Sequence, residues 1–300
     1  MLTMLAVTLP YPFEPLFMQR ALIATVTVGV FAPMIGTFLV QKRMSLIGDG
    51  IGHIAFAGVG AGLIAGVWPI WTALLFAVGG SIGVEWLRAR RRASGDLALA
   101  LFFYSGIALG VVLVSASGGL NASILGYLFG QPLTVNRQEV QVIVGLGVLI
   151  VLAMLTLGRV LFAVVSDEEW AGVSGLPVGV VNNVLAVLVA VAVVAAMQIV
   201  GILLIAAMMV LPVAGGQLLA HSFKSTMRWS VAIGVASSVA GLAASRIWNL
   251  APGGTIVLIT AGTFMAIALA TRRRGRSATV PEPGDPGHLA EDLGPGEATV

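Results

Sequence analysis

The chain has 300 residues, 58% of them hydrophobic and only 10% charged, with no cysteine and a mean hydropathy of +1.01. In a soluble domain about a quarter of residues are charged, so that class is excluded; without cysteine, so are a disulfide framework and any thiolate metal site. The formal charge of +3 comes from basic clusters flanking apolar stretches, which orient a chain at anionic lipid headgroups and do not point to nucleic acid.

In chain order, residues 1–16 come first. They lack a basic start and carry Pro10, Pro12, Glu14 and Pro15, which break up the apolar core a cleavable signal needs; a short external segment is expected. Nine apolar segments follow, at residues 17–39, 46–66, 67–87, 97–117, 140–157, 178–197, 201–220, 229–245 and 255–271. Each runs about 17 to 23 residues, enough to cross about 30 Å of hydrocarbon at 1.5 Å per residue. The fold class is therefore an all-α integral membrane protein, a polytopic bundle of about nine (eight to nine) transmembrane helices over residues 17–271. After Arg276 the chain turns rich in proline, glycine and acids without apolar periodicity, so residues 272–300 are expected as a disordered cytoplasmic tail in which His288 is solvated.

Lys and Arg set the orientation. With alternate loops assigned to each side, Arg20, Arg137 and Arg246 fall on one side and the other 13 of the 16 basic residues on the other. That asymmetry places the amino terminus outside and the carboxyl terminus in the cytoplasm of a bacterial-type cell membrane. The outer loops carry interfacial aromatic and turn residues instead, at Trp68 and Pro69, 127–132 and 248–254.

Chemistry concentrates in residues 45–66, SLIGDGIGHIAFAGVGAGLIAG, where Asp49 and His53 stand in an otherwise apolar, glycine-dense stretch. Ionisable groups at membrane depth are costly and mark ion or proton paths. Four residues apart on a helix, their Cβ atoms lie roughly 5–6 Å from each other, close enough for a carboxylate oxygen and an imidazole nitrogen to hold one cation. Counted from Arg43, Asp49 is expected about 9 Å into the span and His53 about 15 Å. Oxygen plus imidazole suits Mn²⁺, Fe²⁺ or Zn²⁺ without choosing among them. Two readings fit the pair: a weak permeation site, shared with a second copy across a dimer axis, or a polar brace that hydrogen-bonds within the bundle. The glycines, among them Gly58-x-x-x-Gly62 and Gly62-x-x-x-Gly66, allow close helix packing under either.

Nothing in the chain hydrolyses a nucleotide. It contains no G-x-x-x-x-G-K-[ST] phosphate loop and no H-E-x-x-H, and no serine, histidine and acid trio falls at membrane depth. Transport or a structural membrane role remains, not an enzyme, with no cofactor of its own beyond a transported ion.

Residues 20–62, RALIATVTVGVFAPMIGTFLVQKRMSLIGDGIGHIAFAGVGAG, resemble the opening of permease subunits from the ATP-binding-cassette importers of zinc, manganese and iron. The family pattern R-x-x-x-x-x-x-x-x-G, a basic pair, then S-x-x-x-D-x-x-x-H-x-x-x-x-G is met here by Arg20, Gly29, Lys42, Arg43, Ser45, Asp49, His53 and Gly58. YLFG at 127–130, SDEEWAGVSGLPV at 166–178, QIVGILLIAAMMVLPVAGGQLLA at 198–220 and APGGTIVLI at 251–259 continue the likeness in order. Ile54, where family members often carry a small or hydroxyl residue, and VAGGQ after Pro212 depart from it. The resemblance implies the permease fold of metal-chelate importers, working as a homodimer with two separate ATPase subunits and an extracytoplasmic metal-binding protein. It implies alternating access with the ion passing Asp49 and His53, and docking of the ATPase on residues 215–228.

Bottom-up, that docking is consistent with Pro212 interrupting the seventh span and a short amphipathic element following it. There Gly215, Gln217, Leu218, His221, Phe223 and Lys224 are expected at the coupling surface, with Leu218, Leu219 and Phe223 free to fill a partner's groove. Asp167, Glu168 and Glu169 are expected as a solvated cytoplasmic helix start, with ATPase contact second. Two competing functions fit the same bundle: a secondary transporter in which Asp49 and His53 relay protons, and a permease for a metal chelate such as haem or cobalamin.

Overall fold

The computed structural model describes residues 11–90, 95–119 and 122–276, and every regular element among them is helical. In chain order these are α1 (Leu16–Gln41), α2 (Ile47–Ala65), α3 (Pro69–Ala89), α4 (Gly95–Ala116), α5 (Ala122–Phe129), a 3-10 turn (Pro132–Thr134), α6 (Arg137–Ser166), α7 (Glu168–Val173), α8 (Val178–Met197), α9 (Ile205–Leu219), α10 (Phe223–Trp248) and α11 (Pro252–Arg276).

Eight of these helices are long and apolar enough to cross a membrane, within the eight to nine expected. The apolar segment that falls short is α9, whose 15 residues span only about 22 Å. The chain from 198 to 204 is spent on a turn, so the apolar run at 201–220 is not one helix. Pro212 does not interrupt α9 as expected but sits inside it, buried. In turn α11 continues through Arg276, taking in the first five residues of the expected tail; residues 277–300, His288 among them, and 1–10 lie outside the described residues.

Local chemistry sets the helix ends. After α1, Lys42 caps the helix and Arg43 takes a left-handed φ of 58°, which folds the chain straight back into α2. Gly66, at φ 65° with nothing near its α-carbon's open side, ends α2; it is a stop signal, not the packing glycine expected. Gly58 and Gly62 do pack as expected, since a Cβ on Gly58 would lie 2.6 Å from the Ala73 Cα and one on Gly62 would meet Pro69 and Thr72. Pro69 then opens α3 at its first position.

Asn136 starts α6 with a reciprocal cap: Glu139 N–H donates to Asn136 Oδ1 at 2.9 Å, and Asn136 N–H donates to Glu139 Oε2 at 2.8 Å. Asn136→Ala is expected to cost about 1 kcal/mol, seen as a fall of about 2–4 °C in the thermal midpoint of the detergent-purified protein.

The bundle is layered by burial. In their most apolar windows α1 and α2 are 72% buried and α8 is 67%, whereas α4 and α11 are 22% and α6 is 28%. Thus α1, α2 and α8 form the centre, and α4, α6 and α11 expose large apolar side chains, among them Leu101, Val112, Leu155 and Leu258, on the outside of the bundle.

Two ends can be told apart. Lys42, Arg88 and the α7 turn meet at one, called here the basic end. At the other, three glycine motifs form a single junction. Gly130 (φ 76°) and Gly201 (φ 92°) lie back to back, so that a Cβ on Gly130 would stand 2.5 Å from the Ile199 carbonyl oxygen and one on Gly201 2.5 Å from that of Leu128. Gln131 N–H donates to Gln198 O at 3.0 Å and Ile202 N–H to Tyr127 O at 3.0 Å, while Gly253 abuts the carbonyl of Phe129. The stretches YLFG, QIVG and APGG, scattered in sequence, are one structural unit.

Candidate functional site

Asp49 and His53 both lie on α2, one turn apart and facing each other, with His53 Nε2 3.9 Å from Asp49 Oδ1. That separation is too long for a hydrogen bond and leaves room for an ion between the two atoms. Because residues 42–46 form the cap and turn, α2 begins only at Ile47. Asp49 therefore lies about 3 Å along the helix from its start and His53 about 9 Å. Asp49 falls in the first helical turn, where the helix N-terminus favours negative charge.

Glycines bring α2 close to its neighbours. Gly48 abuts Met209 of α9, Gly52 abuts Ile202, and Gly50 abuts Leu99 of α4. From α4 the ring of Phe103 meets the His53 imidazole edge-on at 4.8 Å, and Tyr104 meets Phe103 at 5.3 Å. A shallow cavity of about 250 Å³ opens beside Asp49, lined by Leu46, Leu99, Ala100, Phe103 and Tyr104. The His53 side chain is 12% exposed and that of Asp49 29%. Phe103 and Tyr104 were not legible beforehand, because aromatic residues in an apolar span carry no signal until a partner is known. No group of three or more His, Cys, Asp or Glu that could hold a metal occurs among the described residues, so one copy offers the pair alone.

The expected coupling residues do not form one surface. Gly215 is buried against Ile233 inside α9, and Phe223 packs on Phe38 and Phe162 at ring separations of 5.0 and 4.6 Å. Phe223 is half-buried by these contacts within its own chain. Nor do residues 215–228 make one amphipathic element: α9 ends at Leu219 and α10 starts at Phe223, capped by Ser222. What remains accessible is a knuckle carrying Gln217, Leu218, His221 and Lys224 beside a cavity of about 360 Å³ lined by Thr37, Gln41, Gln217, His221 and Phe223.

A second correction concerns Glu168. Asp167 does cap α7, accepting from Trp170 N–H at 2.9 Å, as a helix start should. Glu168 is not simply solvated: it bonds to Lys42 and Arg88 at 3.2 and 2.9 Å. Burial alone would raise its carboxyl, but those two cations hold it below the ordinary glutamate range. Lys42 is pushed below the ordinary lysine range by burial and by the Arg88 charge, with Glu85 and Glu168 opposing. The rule that singled out Asp49 applies equally to Glu85, an ionisable residue inside a span and 5% exposed; Asn182, uncharged but polar, is buried to the same degree.

At the opposite end a polar cavity of about 350 Å³ is lined by Tyr127, Gln131, Thr134, Glu139 and Gln198, with Gln198 Nε2 donating to Glu139 Oε1 at 3.1 Å.

The fold is that of an apolar, multi-span helical membrane protein. A model of the ABC 3 transport family matches residues 14–271, and the chain belongs to that family. It is 31% identical over 252 residues to the manganese transport system membrane protein MntC of Halalkalibacterium halodurans, covering 84% of this chain and 86% of that one. It is 33% identical over 249 residues to the manganese import system permease protein ScaB of Streptococcus parasanguinis, covering 83% and 89%. A chain of PsaBC from Streptococcus pneumoniae, solved in complex with Fab, superposes with a TM-score of 0.76 at 32% identity, over 85% of this chain and 91% of that one. The family indicated by residues 20–62 is the one that the spans as a whole match.

Proposed function

We propose that the chain is the permease subunit of an ATP-driven importer of divalent transition-metal ions, with manganese the first candidate and zinc and iron as competitors. The observation that carries this is the Asp49 and His53 pair, set 3.9 Å apart in a chain of the ABC 3 transport family whose relatives MntC and ScaB are named for manganese. One oxygen and one nitrogen donor make a weak site, and a permeation site must release what it binds. A homodimer would bring a second pair and complete a four-donor site. The shallow cavity of about 250 Å³ beside Asp49 suits a bare ion better than a chelate of haem size.

The working cycle is alternating access. An extracytoplasmic binding protein delivers the ion at the end carrying the glycine junction, Asp49 and His53 receive it, and ATPase subunits docked at Gln217, Leu218, His221 and Lys224 drive the switch. The basic end is then cytoplasmic, as the asymmetry of Lys and Arg requires.

Co-reconstitution with the ATPase into liposomes tests the reading. Radiolabelled Mn²⁺ should accumulate only when ATP is supplied, with Zn²⁺ and Fe²⁺ tested as competitors. Accumulation driven equally well by a proton gradient without ATP would assign the protein to secondary transport instead.

The exposed knuckle gives a separate check. His221→Ala combined with Lys224→Ala is expected to weaken ATPase binding about tenfold in a pull-down titration while leaving Mn²⁺ binding to the permease unchanged; the cost fits truncation of two rim contacts, about 1.4 kcal/mol in all.

A further inference from the structure

Glu168 stands where three elements meet. Its Oε1 accepts from Lys42 Nζ at 3.2 Å, Arg88 Nη2 at 2.9 Å and Asn182 Nδ2 at 3.2 Å. Lys42 ends α1, Arg88 lies in the last turn of α3, and Asn182 lies near the start of α8. Lys42 also donates to Asn182 Oδ1 at 2.7 Å, and Arg88 grips both oxygens of Glu85 at 3.0 and 2.8 Å.

Charge makes this hub compulsory. Two cations face two carboxylates, and the Lys42 side chain is only 7% exposed. Withdrawing Glu168 would leave a surplus positive charge in a mostly buried place, which is strongly disfavoured. Apolar burial contributes little to holding α7, since Ala171 is its one buried residue and Trp170 and Val173 are 63% and 91% exposed. α7 is therefore a peg seated chiefly by its charge.

The aromatic contacts of Phe223 reach the same elements from the other side. Phe223 opens α10 within the knuckle, between His221 and Lys224, and touches Phe38 of α1 and Phe162 of α6. Phe38 lies one turn before Lys42, and Phe162 lies one turn before Ser166, where α6 gives way to α7. A continuous physical chain thus runs from the knuckle through Phe223 and Phe162 to α7, through Glu168 to Lys42 and Arg88, and on through the α1–α2 turn to Asp49. Contiguity by itself is not coupling; coupling requires that a change at one end alter behaviour at the other.

We propose that this aromatic and ionic linkage transmits the motion of the knuckle to the α1–α2 turn, and that Glu168 is the positioning residue that makes it stiff enough to do so. The proposal rests on the reading above, in which the knuckle docks an ATPase and Asp49 and His53 carry the ion.

The test measures Mn²⁺ uptake and ATP hydrolysis together in liposomes holding the permease and its ATPase. Glu168→Gln keeps the size and loses the charge; Phe162→Ala cuts the aromatic half. Each is expected to leave hydrolysis within twofold of wild type while Mn²⁺ moved per ATP falls at least tenfold, a split that general instability would not give. If Glu168→Gln does not assemble, Glu168→Asp, with the charge on a shorter arm, should give an intermediate ratio. The wild-type chain has no cysteine, so Lys42→Cys with Glu168→Cys can be bridged specifically by a short thiol-reactive crosslinker. The reduced pair should be uncoupled, and bridging should restore at least half of the wild-type ratio. Wild-type ratios in Glu168→Gln and Phe162→Ala, or a bridged pair that stays uncoupled, would overturn the linkage alone. Failure of the wild-type complex to take up Mn²⁺ with ATP would overturn the reading of the site, and the linkage with it.

Discussion

Replacing His53 by alanine is expected to lower ATP-driven Mn²⁺ uptake by about 100-fold or more, with the permease still assembling on its ATPase. The imidazole is the sole nitrogen donor of the pair, its Nε2 stands 3.9 Å from Asp49 Oδ1, and the Phe103 ring fixes its edge. Losing one of two donors removes half of the site in each copy. Even groups that only orient a ligand change metal affinity by about 10- to 100-fold, so loss of the ligand itself belongs at or beyond the top of that range. Asp49→Asn should give a comparable loss, because it keeps shape and hydrogen-bonding capacity but removes the charge that holds a divalent ion. Size-exclusion elution and basal ATP hydrolysis serve as controls for folding. Uptake at the wild-type rate by either variant would sink the site, and leave the pair as a polar brace between helices.

Gly36→Ala is expected to prevent the permease from folding stably. Gly36 lies where α1 crosses α9, and a Cβ there would fall on the Met209 carbonyl oxygen. A side chain could rotate away, but a backbone carbonyl inside a helix cannot, so α1 and α9 would have to separate. Overpacking of an ordinary core costs about 1–3 kcal/mol; this contact, backbone on backbone at the centre of the bundle, should reach or exceed the upper figure. The expected result is loss of the monodisperse peak in detergent, or a thermal midpoint lower by at least about 6 °C. Gly79→Ala is the matched comparison. Nothing lies within 4 Å of a Cβ at Gly79 on α3, so that change should be neutral or stabilise by up to about 1 kcal/mol through helix propensity. Equal behaviour of the two variants would mean that the α1–α9 crossing is looser than its geometry implies.

The difference between those two glycines indicates what a sequence can carry. Both read as helical glycines in apolar spans, and only the crossing partner separates them. The same holds for Gly66 beside Gly62: one spacing rule covers both, yet Gly66 ends a helix in the left-handed region while Gly62 admits Thr72. Asp49 and His53, by contrast, were legible at once. A local period of four residues placed them on one face, and the cost of ionisable groups in apolar surroundings marked them.

Phe223 went the other way. Its apolar character near an expected docking loop pointed outward, and only tertiary packing showed that Phe38 and Phe162 half-bury it. Glu168 looked like one more surface acid until Lys42, more than 120 residues earlier, was brought to its side.

By itself the sequence determined the membrane class, the all-helical fold, the family and the acid and histidine pair, because each depends on composition or on spacing within one turn. Only the tertiary structure decided that the seventh apolar run is a short helix, that three glycine motifs share one junction, that Phe103 flanks His53, and that Glu168 joins three elements. Those facts depend on which helices cross and at what height. Apolar spans present nearly uniform faces to one another, so nothing local in the chain encodes such long-range choices.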